Sequence, residues 1–206
     1  MLEDGLNLLY PTPLYKTTMD LDFCEEMTNW YLTSEGVHDD LHDDYELVRN
    51  NIFMREDPVI DRFKGIVTKK FHEFFDVYLQ EDMDDYEHYY IGWINRSTGY
   101  GSMPTHNHSG AHFVSVFYIH SDPESTGNIV LQDPRFNANR GFLPKHQSMF
   151  SNIEYTPRTG DVIIFPAFLY HYVKPNNCGL RISCPVDVYI KDKKWFNSIE
   201  SSLKGS

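Results

Sequence analysis

Gly160-Asp161-Val162-Ile163-Ile164-Phe165-Pro166-Ala167-Phe168-Leu169-Tyr170-His171 is the stretch whose reading decides the fold. Val162 to Phe165 form an unbroken apolar run of β-branched and aromatic residues. The run ends at a proline, which cannot donate to a sheet ladder. It is too short for a helix and suits a strand buried on both faces. A histidine follows five residues after the proline.

Working outward, runs of the same kind occupy 89–95, 113–119, 128–132, 171–173 and 180–190, separated by Gly, Pro and Asn. Short strands at such spacing predict a β-sandwich or barrel. The upstream part has a different period. Asp57-Pro58 offers a capping side chain followed by a proline suited to the first helical position. Behind it Val59, Ile60, Phe63, Ile66, Val67, Phe71, Phe74, Phe75 and Tyr78 recur at three- and four-residue steps, which predicts a helix of roughly 20 residues with one apolar stripe. A shorter helix is expected over 22–32. The chain is therefore read as one mainly β domain spanning 1–206. A helical N-terminal part of about 85 residues flanks a β-core over about 86–192.

Composition narrows the functional classes. The 206 residues are 41% hydrophobic and include 14 Phe, 14 Tyr and 3 Trp, enough to fill a sizeable core and to exclude general disorder. No apolar run approaches the ~20 residues of a membrane span. Thirty acidic against 18 basic residues give a net charge of −12, which argues against general nucleic-acid binding. Cys24, Cys178 and Cys184 are odd in number and lack zinc-site spacing, as expected in a reducing compartment. With the acidic start Met1-Leu2-Glu3-Asp4, no targeting segment and a cytoplasmic location are expected. Acidic residues 39–46 read as a solvated loop. Oligomeric state is left open, a homodimer included.

Ten histidines stand out, four of them (His106, His108, His112 and His120) within fifteen residues. In His106-Asn107-His108 on a strand, the two imidazoles face the same way. Two neutral imidazoles make half of a transition-metal site, and His171 is the candidate third ligand. Pro175-Asn176-Asn177-Cys178-Gly179 is a turn signal. It predicts that 171–174 pair with 180–184, placing Arg181 diagonal to His171 at roughly 7–8 Å. An arginine inside a β-core needs an anionic partner, so Arg181 reads as a carboxylate receptor.

These residues, in this order and spacing, resemble the 2-oxoglutarate/Fe(II)-dependent oxygenases, whose fold is a double-stranded β-helix (jelly roll, cupin-like). The likeness is greatest to those found in bacteria and bacteriophages. It rests on Tyr10-Pro11-Thr12-Pro13, Trp93-Ile94-Asn95, the His106-x-His108 stretch, Phe117-Tyr118-Ile119, residues 127–135, Phe165-Pro166, His171 and Arg181-Ile182-Ser183. The resemblance implies Fe(II) and 2-oxoglutarate as cofactors, O2 as cosubstrate, and hydroxylation of a substrate with release of succinate and CO2. It further implies His106 and His171 as iron ligands and Arg181, assisted by Ser183, on the distal carboxylate of 2-oxoglutarate. Tyr118 and Asn95 are further candidates around the cosubstrate.

One position departs from the family pattern. The usual first motif is His-x-Asp or His-x-Glu, but here the second ligand position is His108, giving a His106, His108, His171 set. His112, or a carboxylate such as Asp133, stands open as the third ligand. Two other readings also stand. One is a cupin-type three-histidine dioxygenase without 2-oxoglutarate; the other is a non-catalytic β-sandwich binding module. The substrate rim is expected in 133–159, with Phe136, Phe142, Lys145 and His146.

Overall fold

The computed structural model describes residues 11–34, 51–98, 100–135, 152–175 and 179–192. Along these run β1 (Tyr15–Thr18), α1 (Leu21–Thr33), α2 (Pro58–Tyr78), β2 (Tyr86–Gly92), β3 (Asn95–Ser97), β4 (Met103–His106), β5 (Phe113–His120), β6 (Ile129–Leu131), β7 (Ile153–Tyr155), β8 (Asp161–Pro166), β9 (His171–Val173) and β10 (Arg181–Asp192). The strands form two antiparallel sheets. One has the order β1-β8-β5-β10-β2, with β3 also pairing with β10; the other has the order β4-β9-β6-β7. Two antiparallel sheets fit the sandwich or barrel predicted by the strand pattern, and they have the form of the double-stranded β-helix that the family resemblance implies.

Both helices start where the sequence places a cap. The Asp20 carboxylate accepts from the Phe23 N–H at 3.1 Å, and Asp57 from the Val59 N–H at 2.8 Å. These bonds satisfy amides that the first turn leaves without a partner. The Trp30 indole N–H also donates to Asp57, at 2.8 Å, tying the end of α1 to the start of α2. That bond is the main reason the Asp57 carboxyl sits below its usual range.

Strand alternation sorts the apolar residues into two cores. Phe117, Ile119, Val162, Ile164, Ile182 and Val186 turn outward from the larger sheet to meet Phe23, Phe63, Phe71, Phe74 and Phe75 of the helices. Their neighbours Val114, Val116, Tyr118, Ile163 and Phe165 turn inward and pack with Ile129, Leu131 and Leu169 between the sheets. Burial on both faces explains why these strands appear as continuous apolar runs. Among the described residues, no helix is long and apolar enough to cross a membrane.

One expected pairing does not form. β9 and β10 lie in different sheets: His171 stands opposite His106 on β4 and Leu131 on β6, while Arg181 stands opposite Ser97 on β3. The connection after β9 carries the chain across to the other sheet instead of folding it back as a hairpin. It runs hard against the 125–127 segment. A Cβ on Gly127 would lie 1.9 Å from the Lys174 carbonyl oxygen, and one on Gly179 2.1 Å from the Ser125 Oγ. A turn signal indicates reversal of the chain but not which strand receives it. β1, which pairs with β8, lies in the stretch read as helical. The acidic segment 39–46 and Asn176-Asn177-Cys178 lie outside the described residues.

The inter-layer core makes a direct prediction. Phe63 is fully buried and meets Phe117 edge-on at 5.1 Å between ring centroids. Phe63→Ala is expected to cost about 3–5 kcal/mol in urea unfolding. A loss below about 1 kcal/mol would contradict this helix-on-sheet packing.

Candidate active site

Three imidazoles meet between the sheets. His106 ends β4, His108 lies two residues beyond it, and His171 opens β9 directly across from His106. Ring centroids are 5.3 Å apart for His106–His108, 4.3 Å for His106–His171 and 5.2 Å for His108–His171. One ring nitrogen from each lies within 4.8 Å of the other two.

The hydrogen bonds settle which nitrogens these are. His106 Nδ1 donates to the Pro104 carbonyl at 2.8 Å, and His171 Nδ1 donates to the Leu169 carbonyl at 2.9 Å. His108 Nδ1 donates to the Asp187 carboxylate at 2.6 Å. All three rings are thus held by Nδ1, which leaves Nε2 to face the shared point. The Nε2 atoms of His108 and His171 stand 3.4 Å apart. With metal–nitrogen bonds of about 2.0–2.1 Å, two ligand nitrogens on one ion sit roughly 3–3.5 Å apart. Trp93 stacks on His108 at 5.6 Å, and Phe165 meets His171 edge-on at 5.1 Å, so apolar rings fix the imidazole planes.

Burial tunes two of these rings, His106 and His171, for metal. Desolvation is the largest cause in both cases, pushing His171 down to about 3 and His106 below its ordinary value. Neutral imidazole is the form that ligates.

A second constellation lies on the inner face of the larger sheet. Arg181 is only 6% exposed, and its guanidinium carbon stands 5.3 Å from the centre of the Tyr118 ring. Arg181 Nε and the Tyr118 hydroxyl are buried with no hydrogen-bond partner among the described residues. No described carboxylate pairs with this cation. Ser183 stands opposite Tyr118 on one side and Asn95 on the other, so the four side chains share one face. Orphaned donors around a buried cation fit a small carboxylate, because a buried charge without a counter-ion is very costly. Burial raises the Tyr118 hydroxyl to about 12, keeping it a neutral donor.

Each residue named from the sequence thus has a place: His106, His108 and His171 form one group, and Arg181, Ser183, Tyr118 and Asn95 the other. The two alternatives for a third ligand fall elsewhere. His112 accepts through Nδ1 from the Ile190 N–H at 3.2 Å, beside β10. The Asp133 carboxylate is held by its neighbour Arg135 at 2.6–2.9 Å. Neither belongs to the nitrogen cluster. Of the expected rim, Phe136, Phe142, Lys145 and His146 lie outside the described residues.

Sequence reasoning missed Asp187 and the stacking role of Trp93. Alternation along β10 carries a signal for Asp187, since 181, 183, 185 and 187 share a face, and an acidic residue there stands inside an apolar layer.

Residues 92–187, which contain both constellations, match the model of a family described as "Putative 2OG-Fe(II) oxygenase". The match covers just under half of the chain and makes that part similar to the 2OG-Fe(II) oxygenases. That is a family of oxidoreductases, and it implies Fe(II), 2-oxoglutarate and O2. Comparison with curated protein sequences gives no match.

Among solved structures, this chain is similar to HygX from Streptomyces hygroscopicus, described with nickel and 2-oxoglutarate bound. The TM-score is 0.56 at 14% identity, over 86% of this chain and 81% of that one. A prolyl-4-hydroxylase from Pseudomonas putida is similar with a TM-score of 0.54 at 12% identity, over 84% and 85%. These likenesses support the fold. A 2OG-Fe(II) oxygenase family oxidoreductase from Burkholderia pseudomallei matches over 64% of this chain, with a TM-score of 0.47 at 14% identity; this chain spans 56% of its length.

The depressed His171 gives a pH prediction. Its folded value of about 3 lies below the ordinary 6.5, so the unfolded chain takes up the proton first. The associated stability is fully present above about pH 6.5 and is lost progressively as the pH falls toward 3. In metal-free protein, the urea midpoint is expected to fall on acidification from pH 7 to 5, and less steeply in His171→Gln. Equal slopes for the two proteins would contradict this.

Proposed function

We propose that this chain binds Fe(II) through His106, His108 and His171 and 2-oxoglutarate through Arg181, and hydroxylates an unactivated C–H bond with release of succinate and CO2. The observation that carries this reading is the buried Arg181 guanidinium, which has no carboxylate partner among the described residues, on a face shared with Ser183, Tyr118 and Asn95. The three-histidine set taken alone also suits a cupin-type dioxygenase without 2-oxoglutarate. Arg181-x-Ser183, at the spacing of the 2-oxoglutarate oxygenase pattern, favours 2-oxoglutarate as the carboxylate that Arg181 receives.

Each group has a defined task in this reading. The imidazoles present neutral Nε2 lone pairs from one side, leaving the opposite side open to ligands. Arg181 pairs with the distal carboxylate of 2-oxoglutarate, and the Tyr118 and Ser183 hydroxyls supply donors beside it. The apolar layer of Val114, Val116, Ile163 and Phe165 excludes water around the bound cosubstrate. The bound iron supplies the oxidative chemistry: decarboxylation of 2-oxoglutarate by O2, coupled to oxidation of the substrate C–H bond.

The test is Fe(II)-dependent succinate formation from 2-oxoglutarate. Wild-type protein is expected to form succinate slowly even without its substrate, and a chelator is expected to abolish this. Arg181→Ala leaves the carboxylate unpaired and is expected to weaken 2-oxoglutarate binding by about 10²-fold, from the 2–5 kcal/mol typical of a truncated buried pair. Succinate no higher than in the chelated control, together with wild-type cosubstrate affinity in the variant, would favour the cupin reading.

A further inference from the structure

We propose that Asp187 is a positioning residue for the metal site. Its carboxylate locks the His108 ring and places, one imidazole away from the metal, the negative charge that a His-x-Asp motif places directly on it. The inference rests on the oxygenase reading of the three histidines and goes beyond it by explaining how the site works without a carboxylate ligand.

Asp187 is 7% exposed. On its own strand pair it stands opposite Ile91 on one side and Val114 on the other, both apolar. Its polar contact is the 2.6 Å bond to His108 Nδ1. Among the described residues, no lysine or arginine pairs with it. A carboxylate in such a place is costly unless a positive charge answers it. An imidazole that gives Nε2 to a metal ion offers Asp187 a hydrogen bond but no charge of its own. The cation in line with the bond is the one that His108 Nε2 would hold on the other side of the ring.

The geometry favours that role over a plain core pair. The Nδ1 bond and the stacked Trp93 together leave the ring one orientation, and it aims Nε2 to within 3.4 Å of His171 Nε2. A carboxylate accepting from the far N–H of a ligating imidazole orients the ring and strengthens it as a donor. Three neutral imidazoles leave a divalent ion its full +2 charge, whereas His108 with Asp187 behaves as a unit of charge −1. The negative charge of the facial triad is kept but moved outward. This leaves His108, a larger ligand than aspartate, on the metal.

Co(II) is the probe, with affinity read by competition titration, its visible ligand-field band, and quenching of the tryptophan fluorescence. Asp187→Asn, which keeps an acceptor but removes the charge, is expected to weaken Co(II) binding about 10- to 100-fold and to shift the band. Asp187→Glu is expected to recover part of the affinity. The decisive background is His108→Asp, which restores a direct carboxylate ligand. There Asp187→Asn is expected to leave Co(II) affinity unchanged or tighter. Equal loss in both backgrounds identifies a merely structural residue and overturns the proposal, as does wild-type affinity in Asp187→Asn alone. His171→Ala separates the two levels. Loss of Co(II) binding in that variant upholds the underlying site, and retention overturns the oxygenase reading whatever Asp187 does.

Discussion

A guanidinium and three imidazoles are built into the apolar layer between two sheets, and the cost of keeping polar groups there governs the rest of the molecule. Each buried donor or charge must meet a partner. The imidazoles satisfy one nitrogen each within the protein, on two backbone carbonyls and one carboxylate, and present the other to a common point. The guanidinium over Tyr118 meets no carboxylate among the described residues. These unsatisfied groups are the basis of the proposed cosubstrate site.

The fold serves that arrangement by making one sheet work on both faces. Outward, the large sheet packs on the helices through an aromatic layer; inward, alternate residues of the same strands wall the site. Phe117 and Tyr118 are neighbours in sequence but belong to different cores. The helices stiffen the sheet that carries Arg181, Ser183 and Asp187, and the smaller sheet brings His106 and His171 to face it.

Much of this could be read from the sequence, because the signals were local. The apolar stripe from Val59 to Tyr78 and the Asp57-Pro58 cap define α2, and the β-branched runs define β5, β8 and β10. The His106-x-His108 spacing pointed to the imidazole group and the family resemblance supplied Ser183, Tyr118 and Asn95, whereas the hairpin that placed Arg181 diagonal to His171 does not form. What escaped depends on distant contacts. β1 is four residues long with no apolar alternation of its own, and its pairing with β8 comes from tertiary structure. The turn after β9 gave the reversal but not the change of sheet. Asp187 meets His108 across 79 residues of chain, a relation that local spacing cannot show. The departure from the family's His-x-Asp pattern and the unexpected acidic side chain on β10 are two ends of that one contact.

The central claim is that the metal site and the carboxylate receptor serve a single cosubstrate. Anaerobic titration of the protein with Fe(II) and then 2-oxoglutarate tests it most directly, because one molecule chelating the iron through its keto acid end produces a visible charge-transfer band. The account predicts a band that saturates at one equivalent of each and is lost in His171→Ala. Iron binding with no band at saturating 2-oxoglutarate would contradict it.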